Sequence, residues 1–233
     1  MNINIKNCEV NIIKGTDTLE INGGTQPAES KESGCISGMT YSVSAFIANR
    51  DKIKIGDRVK LPAFTVPAVK MDGDEVMEFD MEFDEKNIRA DDAIVIGKDE
   101  NGNFILIFDH CLFDNAIDLN DEKRFEKTQL GQYLQSDFLR AMNGAGIPAE
   151  SCGLISKDEI FGENPLEYFK TGRNRIAFDF DEDCSRYYWL STVDDEEASA
   201  ATFCFVNHFG YGGYYSASGV NTYVRPRFII SAI

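Results

Sequence analysis

Strand-like apolar runs stand on both sides of a helical middle, and that order constrains the fold more than any single motif. Leu130, Leu134, Phe138 and Met142 recur at every fourth position behind Thr128, a residue type suited to capping a helix. Ser136 offers a second cap should the helix break, and Gly144 and Gly146 end it. Ser156-Lys157-Asp158-Glu159 is a capping-box pattern that opens a shorter helix carrying Ile160 and Phe161. Before this middle, Ala93 to Gly97 and Phe104 to Phe108 flank a turn containing Asn101-Gly102, a strong hairpin signal. After it, Ile176 to Phe180, Tyr187 to Ser191, Thr202 to Val206 and Val224 to Ile230 read as strands. Strands, then helices, then strands predict an α+β fold with a mainly antiparallel sheet and two or more short helices.

Residues 1–50 differ in texture. Short β-like pieces, Glu9 to Ile13 and Tyr41 to Ile47, surround a Gly/Ser/Thr/Pro-rich stretch from Gly15 to Gly38. They predict a small β-rich N-terminal arm or subdomain, with the main domain spanning 51–233. Ile53 to Leu61 alternates around Gly56-Asp57, as a strand, a turn and a second strand would. Residues 71–100 hold twelve Asp/Glu against three Lys/Arg. There Met77, Phe79, Met81 and Phe83 alternate with Glu78, Asp80, Glu82 and Asp84, the pattern of a half-buried strand whose acids face water.

A formal net charge of -16 repels polyphosphate, which disfavours nucleic acid and anionic membranes as partners. No apolar run reaches transmembrane length, so membrane insertion is not expected. Cys8, Cys35, Cys111, Cys152, Cys184 and Cys204 form no C-x-x-C pair and read as free, mostly buried thiols. Asp179 to Asp183 begins like a calcium loop, but Cys184 stands where a glycine is needed and Leu190 where a bidentate Glu belongs. Asp194 to Glu197 reads as a solvated acidic loop. Two histidines, His110 and His208, are too few for a three-His zinc site. Cys204 and His208 stand too far apart along a strand to act together unless a turn intervenes. Asp109 beside His110 reads as packing at a strand end. The expectation is no metal, no cofactor and no catalytic residue.

What remains is a long neutral tract. Residues 198–224 contain no Asp, Glu, Lys or Arg, although the chain is 27% charged. From Asn207 to Tyr223 five aromatic residues, Phe209, Tyr211, Tyr214, Tyr215 and Tyr223, stand among four glycines, two serines and two asparagines. Recognition loops use this composition, because Tyr gives rigid amphipathic contact area and Ser, Asn and Gly adapt by hydrogen bonding. The candidate ligand-binding residues are His208, Tyr211, Tyr214, Tyr215, Asn221 and Tyr223. The competing reading is that these rings close over the protein's own core.

Leu154 to Ile160, Tyr188-Trp189-Leu190-Ser191, the small-residue strand from Ala198 to Val206 and the terminal Val224-Arg225-Pro226 resemble a family of uncharacterised bacterial and prophage proteins. That family looks related to the C-type-lectin-like fold of the formylglycine-generating enzymes and the variable proteins of diversity-generating retroelements. The resemblance covers 53–233. It departs at Thr192 and lacks the Glu-Pro-Asn and Trp-Asn-Asp calcium motifs of orthodox lectins. It implies Trp189 in the core, Arg225 bound to a buried carboxylate or to carbonyls, and an exposed face formed by the loops before the last strand. The function it implies is a non-catalytic recognition module, a prophage tail- or surface-associated adhesin for a protein or glycan. Two alternatives stand beside it: a virion assembly protein that forms homo-oligomers through the arm, and a formylglycine-generating-type oxidase with two adjacent thiols near the surface. The start, Met1 to Lys6, lacks a basic-then-apolar leader, which predicts a cytoplasmic protein or one released on a phage particle.

Overall fold

In the computed structural model, residues 38–72, 79–180, 184–194 and 200–232 are described. The predicted hairpin forms from Asp91–Lys98 and Phe104–Phe108. Gly102 turns it at a φ of 82°, and the Asp99 carboxylate accepts the backbone N–H groups of Asn101 and Asn103. All of Phe104–Phe108 is buried, so this strand needs cover on both faces. Phe104, Leu106 and Phe108 face the larger core, which includes the helical segment, while Ile105 and Ile107 face a smaller one with Ile155, Ile160 and Phe169.

The hairpin is the middle of a six-stranded sheet ordered Thr40–Ser42, Arg58–Leu61, Asp91–Lys98, Phe104–Phe108, Arg227–Ile230, Ala149–Gly153. A second sheet of five runs Gly212–Ser216, Thr202–Val206, Tyr188–Val193, Tyr223–Val224, Phe113–Asp114. Pairing is antiparallel except between Thr40–Ser42 and Arg58–Leu61 and between Tyr188 and Tyr223. The fold is α+β, mostly strands with a few short helices.

Gln129–Tyr133, a π-helical turn Leu134–Phe138 and Leu139–Gly144 follow one another as a continuous helical segment. An apolar stripe repeating every four residues drifts by about 40° per step on a helix of 3.6 residues per turn. The wider π turn takes up that drift, and Leu130, Leu134, Phe138 and Met142 all end fully buried. Thr128 caps the start by accepting the Gly131 N–H, and Gly146 reverses the chain at a φ of 84°. The capping box at Ser156 forms with both reciprocal bonds.

Several of the expected elements differ from what forms. Of Tyr41 to Ile47 only Tyr41 and Ser42 lie in a strand, because the Ser42 side chain accepts the Ala45 N–H and starts the helix Val43–Ala48, which inserts Phe46 against Phe104 at 5.1 Å. Of the expected arm, residues 1–37 lie outside the described residues, and from Thr40 onward the chain is built into the main sheet. Ile53 to Ile55 forms no strand, since the Asp57 carboxylate takes the Lys54 and Met39 N–H groups and Gly56 turns at a φ of 90°. Of the acidic alternating run, Met77 and Glu78 lie outside the described residues and only Met81–Phe83 is a strand. Phe79 is exposed there because its backbone is held by the Asn120 and Gln129 side chains. Finally, Val224 to Ile230 is divided between the sheets at Arg225-Pro226, where proline has no N–H to donate. Among the described residues no helix is long and apolar enough to cross a membrane.

Candidate functional site

The strand Gly212–Ser216 is the outermost of the second sheet, joined to Thr202–Val206 by a tight connection. Asn207 shapes that connection: its side-chain oxygen accepts the N–H groups of Phe209 and Tyr211, and Gly210 adopts a φ of 82°. The bonds from Asn207 N to Tyr211 O and from Ala217 N to Ala201 O set the register. Residues 211, 213, 215 and 217 therefore bond inward, and Gly212 and Tyr214 turn their backbone N–H and C=O outward. The strand carries neither charge nor proline, the usual guards of an open sheet edge.

The six candidate residues fall into separate settings. Tyr214 and Tyr215, each 46% exposed, project from opposite faces of the strand. Tyr215 lies across from Phe203 and stacks on Trp189 at 6.1 Å. Tyr214 lies across from Cys204 and accepts a 2.7 Å hydrogen bond from Lys157 Nζ. Tyr211 is 68% exposed at the connection. His208 is half-buried in an aromatic group with Tyr187 at 5.1 Å and Phe209 at 3.9 Å. Asn221 is exposed, and Tyr223 turns toward the smaller core with the Arg186 guanidinium over its ring. The tract is thus partly a strand, not a loop pair. Phe209, 65% exposed, and Tyr187, 40% exposed, join the surface although they are not among the six. Tyr187 stands just before the strand Tyr188–Val193 and meets the Phe205 ring edge-on at 5.4 Å.

Trp189, which the resemblance implied in the core, and Arg225, which it implied bound to a carboxylate or to carbonyls, are both buried. Trp189 is fully buried and donates to Asn115 O at 2.8 Å, and Arg225 binds the carbonyls of Phe108 and Asp109.

A second cluster lies at the open end of the hairpin. His110 Nδ1 sits 2.7 Å from Asp91 Oδ1, its ring stacked on Phe180. Arg58 pairs with Asp109 and more distantly with Asp92, at 3.8 Å. Asp109 and His110 thus serve different partners. With Arg173, Tyr168 and Arg225 they bound a cleft of about 350 Å³. The missed signal was the hairpin register, which brings residues 91–92 beside 108–110 once the Asn-Gly turn is accepted. A wider, open cleft of about 620 Å³ between residues 123–126, the strand Ala149–Gly153 and residues 191–193 holds Arg227, which faces Glu159 at 3.9 Å.

Cys204 lies beneath Lys157 and Tyr214 while His208 sits among the aromatic rings, so the two do not form a catalytic pair. Burial raises the thiols of Cys111 and Cys152 to about 12 and that of Cys204 to about 11. At pH 8 a thiol near 12 is ionised in about one molecule per ten thousand. Peptide-mapped alkylation of the native chain at pH 8 is therefore expected to label the exposed Cys184 and to leave Cys111, Cys152 and Cys204 intact, with all four labelled in denaturant. Labelling of two of the buried three under native conditions would favour the oxidase alternative. Asp181 to Asp183 and Asp195 to Glu197, the acidic segments weighed for cations, lie outside the described residues. Among the described residues no three His, Cys, Asp or Glu side chains converge as a metal site needs.

Comparison of the chain with protein-family models, with curated proteins and with solved structures gives no match.

Proposed function

We propose that this chain is a non-catalytic recognition module of C-type-lectin-like build, which captures an extended segment of a partner protein along the strand Gly212–Ser216. One observation carries the reading: an uncharged, unguarded edge strand offers the outward N–H and C=O of Gly212 and Tyr214 between exposed tyrosines on both faces. Strand addition uses such an edge, with backbone bonds for affinity and alternate side chains for specificity. Support for the lectin-like build comes from the buried Trp189, from Arg225 at the crossover and from the closing strand lying inside the main sheet. The resemblance to prophage proteins supplies the setting, display on a phage tail or a bacterial surface. A glycan is the second reading, favoured by the exposure of Phe209 and Tyr211, whose rings offer faces to a sugar.

Retention of the full chain on bacterial cells separates these readings. Tyr214→Pro removes an N–H that serves no bond within the sheet, and proline is tolerated at such edge positions. Relative to Tyr214→Ala it is expected to lower retention about tenfold while the melting temperature moves by less than about 3 °C. Retention equal to that of Tyr214→Ala would end the strand-addition reading. Should the Tyr211→Ala, Tyr214→Ala, Tyr215→Ala triple variant then lose binding to a glycan array at unchanged melting temperature, the glycan reading stands. A collapse of melting temperature in the triple variant would instead assign these rings to core packing.

A further inference from the structure

Two cations stand beside the edge strand Gly212–Ser216 on one of its faces. Lys157 opens the helix Lys157–Phe161, gives one ammonium proton to the Tyr214 hydroxyl in an exposed 2.7 Å bond, and lies 5.1 Å from that ring's centre. An ammonium has three donors, so two remain for another acceptor. The Arg175 guanidinium lies 4.8 Å from the centre of the Phe161 ring, and that ring closes on Gly212, where an added Cβ would stand 3.2 Å away. Arg175 Nε donates to Phe169 O at 3.0 Å, while its terminal nitrogens make no hydrogen bond and are not buried. Among the described residues neither Lys157 nor Arg175 forms an ion pair, and the Asp194 carboxylate acts on Lys157 only from beyond pairing distance. Residues 198–224 add no charge, so these two cations stand against the sign of a chain whose net charge is -16.

Resting on the strand-addition reading above, we infer that the captured segment is acidic, with carboxylates on two residues two positions apart, one facing Lys157 and the other Arg175. The spacing follows from strand geometry. An incoming strand runs alongside the edge, and its alternate side chains share a face at intervals of about 7 Å. Tyr214 and Gly212, which mark the two cations, are themselves alternate residues of the edge. Gly212 offers no side chain on that face, so the Phe161 ring and Arg175 are what the incoming strand meets there. The other face of the edge is aromatic, with Tyr215 stacked on Trp189 and Gly213 packed on Phe205, which suits apolar residues between the acids. Exposed charge pairs of this kind set specificity and salt dependence more than affinity.

The test titrates the full chain at pH 7 and low salt with the capped peptide Thr-Val-Glu-Val-Glu-Val-Thr and, separately, with the same peptide carrying Gln for both Glu. Amide nuclear magnetic resonance follows residues 211–217. The Glu peptide is expected to bind about tenfold more tightly than the Gln peptide, about threefold for each carboxylate. Lys157→Gln is expected to cut that ratio to about threefold, and high salt to abolish it. Arg175→Gln repeats the measurement at the other cation, and Lys157→Gln, which changes only an exposed bond, keeps the test valid should Arg175→Gln disturb the fold. Equal binding of the two peptides, or a ratio unmoved by Lys157→Gln, overturns the acidic partner and leaves strand addition standing. Peptide binding to Tyr214→Pro as tight as to Tyr214→Ala, or no binding of either peptide, overturns strand addition and this inference with it. Shifts of residues 211–217 that follow dilution of the chain alone would assign the edge to a second copy and overturn the acidic partner.

Discussion

Trp189→Ala is expected to destabilise the domain by about 3–5 kcal/mol, measured by urea unfolding followed by circular dichroism. The indole is fully buried within the larger core, so its removal leaves a cavity that the sheet closes only in part. It also orphans the Asn115 carbonyl, which accepts the indole N–H at 2.8 Å. Tyr215 loses the ring on which it stacks, so one side of the proposed binding edge loosens along with the core. Trp189→Phe refills most of the volume and isolates the hydrogen bond, at a cost of about 1–2 kcal/mol. A loss below about 1 kcal/mol for the alanine variant would mean that the second sheet does not depend on this side chain. Since Trp189 is the only tryptophan, its fluorescence in the parent protein reports this core directly.

Phe138→Ala is expected to cost about as much, again about 3–5 kcal/mol. Phe138 lies in the π turn and is the hub of an aromatic cluster, with Phe64 at 5.4 Å, Phe108 and Tyr133 at 6.2 Å and Phe113 at 6.4 Å. Those partners come from the main hairpin, the second sheet, a small two-stranded ribbon and the helical segment itself. Truncation there uncouples four elements at once. Phe138→Leu keeps most of the volume and is expected to lose less than half as much. Against a typical stability of about 5–15 kcal/mol, either alanine variant leaves a narrow margin. Equal destabilisation by leucine and alanine would show that edge-to-face ring geometry, not volume, sets the energy.

Much of the fold was legible because its signals are local. The Asn101-Gly102 turn, the Thr128 and Ser156 caps and the four-residue apolar stripe each act within a few residues of themselves, and each forms as expected. Elements failed where a side chain from elsewhere took the backbone. Phe79 leaves its strand because Asn120 and Gln129, some forty and fifty positions away, hold its N–H and C=O. The segment before Arg58 turns because Asp57 reaches two N–H groups. Composition alone marked the neutral tyrosine tract as a candidate surface, with closure over the core as the competing reading. It could not say that Tyr214 and Tyr215 would part to opposite faces, since that depends on the tract forming an edge strand.

The charged cleft is the clearest case of information absent from the linear order. Asp91, His110, Arg173 and Arg225 are unremarkable as neighbours in sequence, and none of their spacings forms a motif. They meet because the hairpin aligns its two ends, the chain crosses between sheets at Pro226, and the guanidinium of Arg225 reaches a carbonyl 117 positions earlier. Short-range turn and cap chemistry chose the elements of this protein, whereas sheet order and long-range hydrogen bonds chose which charges share a cavity. The physical reason is that caps and turns are satisfied within one segment, while the pairing of distant strands is settled only by the joint burial of both cores.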